Sequence, residues 1–228
     1  MNLRTELIFP TPIWIFEDCP IDNDVIIDFI HKVKEEDPEG MKKSNEGGWQ
    51  SNNFVPPYID KTPFKDLHKQ IVHNTYTAGD DYGFNDYTIR LGNLWCNINT
   101  MGNSNAVHTH SGSMFAGVYY AQVPNCCSGE LKFHRPMHEQ CLKEYWGCDE
   151  NFDRYEKQHN YNQWYVQPKP GTMVIFPSWL MHSVDKSNTE LERISLSFNM
   201  HIFSDYYRDN AVYPQKRRNK SQLPLSLK

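Results

Sequence analysis

The chain of 228 residues lacks several features that define common protein classes. It has no run of about 18 apolar residues, so we expect no membrane helix. Its first residues show no apolar segment followed by a small-residue cleavage site, so we expect no signal peptide and a cytoplasmic location. A net charge of −5 argues against a general nucleic-acid binder. The six cysteines include no C-x-x-C pair, which argues against a zinc ribbon and favours reduced thiols.

The residues that are abundant indicate a folded domain. Aromatic residues make up 14% of the chain and apolar residues 39%, enough to bury a core. We predict a single domain over residues 1–228, with a helical part to about residue 86, a β-rich core at about 87–204 and a tail at 205–228. Basic residues cluster in the tail, which is typical of a solvated terminus.

Two stretches of the N-terminal part have helical periodicity. Apolar residues at helical spacing predict a helix over residues 22–36, capped by Asp22 or Asn23. A second helix is predicted over about 63–76, with Thr62 as its N-cap. Its buried stripe would consist of Phe64, Leu67 and Ile71. Both helices precede the β-rich core.

From residue 87 the pattern changes to the period of two that is typical of strands. Strands are predicted within 94–99 and at 114–123, 130–134, 171–176 and 193–202. The last strand has an apolar face and a polar face, the polar one formed by Arg193, Ser195, Ser197, Asn199 and His201. Such a face either meets water or lines a polar interior site. Many short strands joined by Gly/Pro turns predict a mainly β sandwich or jelly roll.

A long polar and aromatic insert, at about 137–166, interrupts this strand pattern. Loops of this length are uncommon and often act as lids or binding loops. The alternative is a surface excursion whose aromatic side chains pack onto the core.

Histidines supply the first candidate chemistry. His108 and His110 are two residues apart, so on a strand both imidazoles would share one face and reach one metal ion. Later, an apolar strand led by Gly171 turns at Pro177 and presents His182. This arrangement resembles the two cupin motifs, which supply an H-x-H pair and a distant third histidine. The glutamate that the first cupin motif also supplies is absent, because Met114 and Phe115 occupy its place.

Arg193 and Ser195 follow His182 and lie on one strand face. A guanidinium and a hydroxyl together suit a carboxylate, which Arg binds through two parallel hydrogen bonds. This spacing resembles the 2-oxoglutarate/Fe(II)-dependent oxygenases, in which the distal histidine is followed by an R-x-S that binds the C5 carboxylate of 2-oxoglutarate. The alternative is an ion pair of Arg193 with Glu190 or Glu192.

Other segments extend the resemblance over most of residues 7–204. They are Phe9 to Trp14 (FPTPIW), Gly47 to Ser51 (GGWQS), Gly117 to Tyr120 (GVYY) and Phe133-x-Arg135-Pro136. In this order they resemble a family of 2OG-Fe(II) oxygenases found in marine bacteria and phages. The resemblance implies a double-stranded β-helix with flanking N-terminal helices. It also implies an enzyme that uses Fe(II), 2-oxoglutarate and O2, with succinate and CO2 as co-products of a hydroxylation.

The resemblance also implies roles for particular residues. The metal ligands would be His108, His110 and His182, and 2-oxoglutarate would be held by Arg193, Ser195 and Tyr120. Asn97, with Asn99, is expected to face the same pocket. His110 stands where most such enzymes have an acidic ligand, so Glu130 remains an alternative third ligand.

Two other functions remain open at this point. One is a three-histidine cupin dioxygenase or isomerase without 2-oxoglutarate, in which Arg193 binds the carboxylate of the substrate. The other is a jelly-roll binding module whose histidines are structural or bind a metal. The sequence predicts an unidentified small-molecule or peptide substrate and leaves the oligomeric state open. Aromatic residues suited to stacking, or equally to packing, are Trp49, Tyr58, Tyr145, Trp146 and Trp164.

Overall fold

The computed structural model describes residue 4 and residues 9–125, 128–135 and 163–204. In these residues the helices are α1 (Asn23–Glu36) and α2 (Lys65–Asp81). The strands are β1 (Trp14–Phe16), β2 (Asn45–Glu46), β3 (Trp49–Gln50), β4 (Tyr87–Asn99), β5 (Ser104–His108), β6 (Phe115–Gln122), β7 (Leu131–His134), β8 (Gln163–Val166), β9 (Met173–Pro177), β10 (His182–Val184) and β11 (Arg193–Ser204). They form a six-stranded sheet in the order β1-β9-β6-β11-β4-β3 and a five-stranded sheet in the order β2-β5-β10-β7-β8.

Both predicted helices are present. α1 begins after Asp22, whose carboxylate accepts a hydrogen bond from the backbone N–H of Val25 at 3.3 Å, as an N-cap does. The prediction placed both ends of α2 too early. Thr62 accepts from the N–H of Phe64 in a turn before the helix, and the last helical turns bury polar or small residues that hydropathy does not mark. The predicted stripe of Phe64, Leu67 and Ile71 is fully buried.

The helices cover the outer, apolar face of the six-stranded sheet. On β11 the side chains of Ile194, Leu196 and Phe198 are inaccessible to solvent and share one core with residues such as Ile30 of α1 and Leu67 of α2. Burying a side chain of this size contributes about 1.5–3 kcal/mol. The alternation predicted for residues 193–202 is therefore confirmed on its apolar side.

A second, smaller core lies between the two sheets. It joins Val118 of β6 and Val174 of β9 to Leu131 and Phe133 of β7. Two antiparallel sheets that face each other across such a layer form the jelly roll that the strand pattern predicted. Arg193, Ser195 and Ser197, on the polar face of β11, line this interior.

The predicted insert differs from expectation at its end. Residues Gln163–Val166 form β8, which pairs with β7 from Leu131↔Val166 to His134↔Gln163. The strand was missed because its alternation is short and lies in a sequence rich in polar and aromatic residues. The rest of the insert, with Tyr145 and Trp146, and the basic cluster of the tail lie outside the described residues.

Among the described residues, no helix is long and apolar enough to span a membrane. Two of the six cysteines, Cys19 and Cys96, are free and buried. The other four lie outside the described residues.

Candidate active site

Three histidines converge where two neighbouring strands of the five-stranded sheet meet the cavity. β5 and β10 are antiparallel neighbours with His108 directly opposite His182. His110 joins them from the loop after β5. One ring nitrogen from each histidine lies within 4.8 Å of the others. Ligand atoms this close can bind a single metal ion.

The predicted reason why His108 and His110 lie close together was only partly right. We predicted that His108 and His110 share a strand face, but β5 ends at His108. His110 is held instead by its backbone N–H, which donates to the carbonyl of Ser178 at 2.9 Å. The N–H of Ser178 in turn donates to the carbonyl of Met114 at 3.1 Å, so the loop is fastened to the turn after β9. A contact across the fold, and not the period of two, therefore places the third imidazole.

Two of the histidines, His108 and His182, are held as neutral rings with a defined tautomer. Nδ1 of His108 lies 2.7 Å from the carbonyl oxygen of Ala106, and Nδ1 of His182 lies 2.9 Å from that of Leu180. Because a carbonyl only accepts, each Nδ1 carries the hydrogen and each Nε2 keeps its lone pair for a metal. Burial, together with a smaller effect of the neighbouring His108, lowers the pKa of His182 to about 3 and that of His110 to about 4.

Aromatic rings enclose the histidines on two sides. The ring of Phe176 lies 4.6 Å from that of His182, and the ring of Phe133 lies 6.3 Å from it. On the other side Trp95 stacks on His110, with ring centroids 5.7 Å apart. These contacts withdraw the cluster from water, which is the cause of the low pKa values.

Arg193 lies deeper in the same cavity and is only 2% exposed. Its Nη1 donates to the backbone carbonyls of Ser128 at 2.9 Å and Gly129 at 2.7 Å. Gly129 has a φ of +84°, and a Cβ there would lie 2.2 Å from the carbonyl oxygen of Asp185, so this close approach requires glycine. The turn before β7 thus fixes one edge of the guanidinium.

Among the residues that the structure describes, none balances the charge of Arg193 at its other edge. Nε forms no hydrogen bond, and the cavity lining that the structure describes contains no carboxylate. The alternative ion pair with Glu192 is wrong, because Glu192 contacts His31 and Lys34 instead. A buried cation without a counter-charge costs several kcal/mol, so the site favours an anionic ligand.

Two hydroxyl groups lie beside Arg193, one on its own strand and one on the neighbouring strand β6. Ser195 follows on the same face of β11, and Tyr120 of β6 is directly opposite Ser195. Burial raises the pKa of Tyr120 to about 12, although Arg193 lowers it in part, so the phenol keeps its hydrogen at neutral pH. A guanidinium, a hydroxyl and a phenol therefore converge as donors.

All seven predicted site residues line one cavity: His108, His110, His182, Arg193, Ser195, Tyr120 and Asn97. Glu130, the alternative ligand, lines a different groove with Asp185 and is not part of the histidine group. Trp49 is a packing residue, because it is buried and its Nε1 donates to the carbonyl of Asp37 at 2.8 Å.

Nine further residues line the cavity, and four of them, Ser44, Trp95, Asn105 and Ser197, carry side chains that can form hydrogen bonds but were not assigned to the site from the sequence. The alternation on β4 and β11 was a usable signal for Trp95 and Ser197. No local pattern marks the other two, since the pairing of β2 with β5 brings their segments to the cavity.

The donor set fits both groups that the resemblance implied. Three neutral imidazoles suit Fe(II), which binds imidazole well, and Nε2 of His182 lies 3.2 Å from Nε2 of His110, so both nitrogens point into the same space between the rings. The unbonded Nε of Arg193 and the two adjacent hydroxyl donors suit a carboxylate, which accepts several hydrogen bonds at once.

Comparison with known proteins agrees with this geometry. The family described as "Putative 2OG-Fe(II) oxygenase" matches residues 93–199. No curated protein sequence matches the chain.

Solved structures share the fold at low sequence identity. A prolyl-4-hydroxylase from Pseudomonas putida is 14% identical, with a TM-score of 0.53 over 84% of this chain and 93% of that one. A prolyl hydroxylase from Trichoplax adhaerens, solved with a hypoxia inducible factor peptide, is 12% identical, with a TM-score of 0.56 over 88% of this chain and 87% of that one. HygX from Streptomyces hygroscopicus, solved with nickel and 2-oxoglutarate, is 9% identical, with a TM-score of 0.53 over 84% of this chain and 83% of that one.

The family match covers the strands that carry the histidines and the start of β11, so sequence and geometry identify the same site. Residues 93–199, which carry the three histidines and Arg193, match the family of 2OG-Fe(II) oxygenases.

Proposed function

We propose that the cavity is the active site of an Fe(II)- and 2-oxoglutarate-dependent hydroxylase. His108, His110 and His182 hold the metal, and Arg193 holds the co-substrate. The observation that carries this proposal is the pair of complementary sites in one cavity: neutral imidazoles near its mouth and a buried, unbalanced guanidinium deeper inside.

The chain's residues prepare the metal site before any ion binds. The carbonyls of Ala106 and Leu180 orient the rings of His108 and His182, so their Nε2 atoms need no reorganisation. Low pKa values keep the imidazoles unprotonated at neutral pH, so protons do not compete for these nitrogens. Ligands that are already aligned favour tight binding.

Arg193, Ser195 and Tyr120 bind the distal carboxylate of 2-oxoglutarate. Since Nη1 is committed to two carbonyls, the guanidinium cannot turn, and its remaining N–H groups face the cavity. Ser195 and Tyr120 add one O–H donor each from adjacent strands. This arrangement aligns the keto acid end of the molecule with the histidines.

When bound, iron would supply the activation of O2: 2-oxoglutarate would be oxidised to succinate and CO2, with one oxygen atom of O2 entering succinate and the other entering the substrate C–H bond as a hydroxyl group. The chain orients the reactants and excludes water. Phe133, Phe176 and Trp95 form the apolar sides of the cavity around the histidines.

The substrate is a small molecule or a peptide. Similar structures contain a hypoxia inducible factor peptide in one case and hygromycin B in another, so this fold accommodates both classes. Ser44 and Asn105 offer polar contacts at the cavity without adding charge. We further propose a cytoplasmic location, which the free thiols of Cys19 and Cys96 support.

The test is calorimetric binding of 2-oxoglutarate to the Mn(II)-loaded protein without oxygen, followed by an assay of succinate in the Fe(II)-loaded protein with oxygen. Binding together with succinate formation supports the proposal. If millimolar 2-oxoglutarate does not bind, the proposal is wrong.

A three-histidine cupin-type enzyme without 2-oxoglutarate is the second candidate. The observation that favours it is the all-imidazole ligand set, in which His110 replaces the usual carboxylate. In that enzyme Arg193 would bind the substrate's own carboxylate, and oxygen consumption would occur without succinate.

A further inference from the structure

Polar side chains from four neighbouring strands form a continuous surface around Arg193, called the polar floor below. Its members are directly opposite one another in register, as Gln50↔Asn97, Asn97↔Ser195, Ser195↔Tyr120 and Asn99↔Arg193. Directly opposite residues of antiparallel strands share one face of the sheet. Each of these side chains is more than nine-tenths buried.

Asn99 stands out in the polar floor because its amide has no partner. It is 1% exposed, and neither Oδ1 nor Nδ2 forms a hydrogen bond. The opposite residue, Arg193, has an unbonded Nε. Asn97 lacks a partner only at Oδ1, since its Nδ2 donates to Ser197 at 3.1 Å. Unpaired buried polar atoms are rare, and the register opposite Arg193 puts the Asn99 amide on the same sheet face as the guanidinium that lines the cavity, where a ligand or a water can complete both.

The GGWQS segment packs against the amide of Asn99. A Cβ on Gly48 would lie 2.7 Å from Nδ2 of Asn99 and 3.1 Å from the carbonyl oxygen of Ile98, so only glycine leaves room for the amide. Ser51 anchors the segment, because its Oγ accepts the backbone N–H of Cys96 at 2.9 Å. The segment therefore closes the polar floor behind Asn99.

We propose that Asn99 determines specificity for a 2-oxo acid with a second carboxylate. Its amide N–H donates to the carboxylate that Arg193 binds, directly or through one water. This inference rests on the proposed function and adds a donor that the R-x-S pattern does not contain. It also gives the GGWQS segment a role, since Gly48 makes the space in which this amide faces Arg193.

The test uses the full chain loaded with Mn(II), without oxygen, and two ligands. 2-Oxoglutarate and 2-oxovalerate share the keto acid end, but 2-oxovalerate has a methyl group in place of the distal carboxylate. We expect Asn99→Ala to weaken 2-oxoglutarate binding about 10- to 100-fold, as loss of a hydrogen bond to a charged group does. Binding of 2-oxovalerate and of Mn(II) should change less than about twofold, because neither involves the distal carboxylate.

Asn74→Ala is the matched control. Asn74 is also a buried asparagine, but its amide is bonded to Gln70, Cys19 and Met173, on the side of the sheet that the helices cover. We expect this variant to lower the melting temperature and leave both ligand affinities unchanged. Asn99→Ser, which keeps a hydroxyl donor, should show an intermediate loss and remains informative if Asn99→Ala does not fold.

Three results would overturn the inference. In the first, Asn99→Ala binds 2-oxoglutarate as tightly as wild type does. In the second, the variant loses the same factor of affinity for 2-oxoglutarate and for 2-oxovalerate. In the third, the variant loses affinity for Mn(II) to the same extent. In each case wild type still binds 2-oxoglutarate, so the proposed function stands. If wild type itself fails to bind, the proposed function fails and this inference falls with it.

Discussion

Along β11, successive residues meet two different environments. Ile194, Leu196 and Phe198 face the helices and are fully enclosed by apolar neighbours. Arg193 and Ser195 face the interior, where polar groups outnumber their partners. Neighbours in the sequence therefore have different environments: one face of the strand packs in the apolar core, and the other lines the cavity.

The difference has an energetic consequence. An unpaired buried polar group costs about 1–3 kcal/mol, so the interior face reduces the stability of the ligand-free protein. The apolar face of the same strands offsets this cost. Substitutions on the two faces should therefore separate stability from binding, and the predictions below test that separation.

The largest effect is expected at the histidines. His182→Ala should weaken Fe(II) or Mn(II) binding by more than about 100-fold, because two imidazoles remain where three converged. Metal titration of the purified variant measures this loss. His108→Ala and His110→Ala should behave alike.

A matched control for the histidines is His134→Ala. His134 belongs to the same sheet, but its Nε2 lies 2.9 Å from the Oγ of Ser183, outside the cluster. This variant should keep its metal affinity. If His110→Ala keeps full affinity and Glu130→Ala loses it, the assignment of the third ligand is wrong.

Phe198→Ala tests the apolar face. It should lower the free energy of unfolding by about 3–5 kcal/mol, because it removes a fully buried ring. Denaturant titration gives this value. The folded fraction should bind 2-oxoglutarate like wild type, and a marked change in that affinity would show that the two faces are not independent.

Arg193→Lys tests the polar face of the same strand. It should weaken 2-oxoglutarate binding by about 2–5 kcal/mol while metal binding stays nearly intact, because an ammonium cannot replace the planar fork. Calorimetry on the Mn(II)-loaded protein measures both. Equal binding by the variant would remove Arg193 as the anchor without excluding the enzyme class.

Ser195→Ala should have the smallest effect. It removes one neutral donor beside Arg193, so the expected loss in 2-oxoglutarate affinity is about 1 kcal/mol. The same calorimetric titration measures it. A loss as large as that of Arg193→Lys would mean that the hydroxyl, and not the guanidinium, makes the main contact.

Much of the fold and of the candidate site was predictable from the sequence, because the two faces of a strand follow from the alternation of polar and apolar residues along it. The period of two on residues 193–202 assigned both faces of β11, and the motif order identified the histidines, Arg193 and Tyr120. Helix α1 was equally clear, since Asp22 and a regular apolar stripe mark it.

The features that escaped prediction depend on contacts between distant segments. His110 is placed by a backbone bond to Ser178, and Asn105 reaches the cavity through strand pairing. Neither contact leaves a trace in the neighbouring sequence. The role of Gly48 was hidden for the same reason, because the amide it accommodates belongs to β4.

The pairing of β7 with β8 has a consequence for how this protein can change over evolution. His134 and Gln163 are direct partners, so the chain leaves the sheet and returns to it at the same point. Closing a longer loop costs only about 0.6 kcal/mol for each doubling of its length. The pairing of β7 with β8 therefore tolerates a change in the length of the chain that joins them, so insertions there leave the register of the strands that carry His108, His182 and Arg193 unchanged.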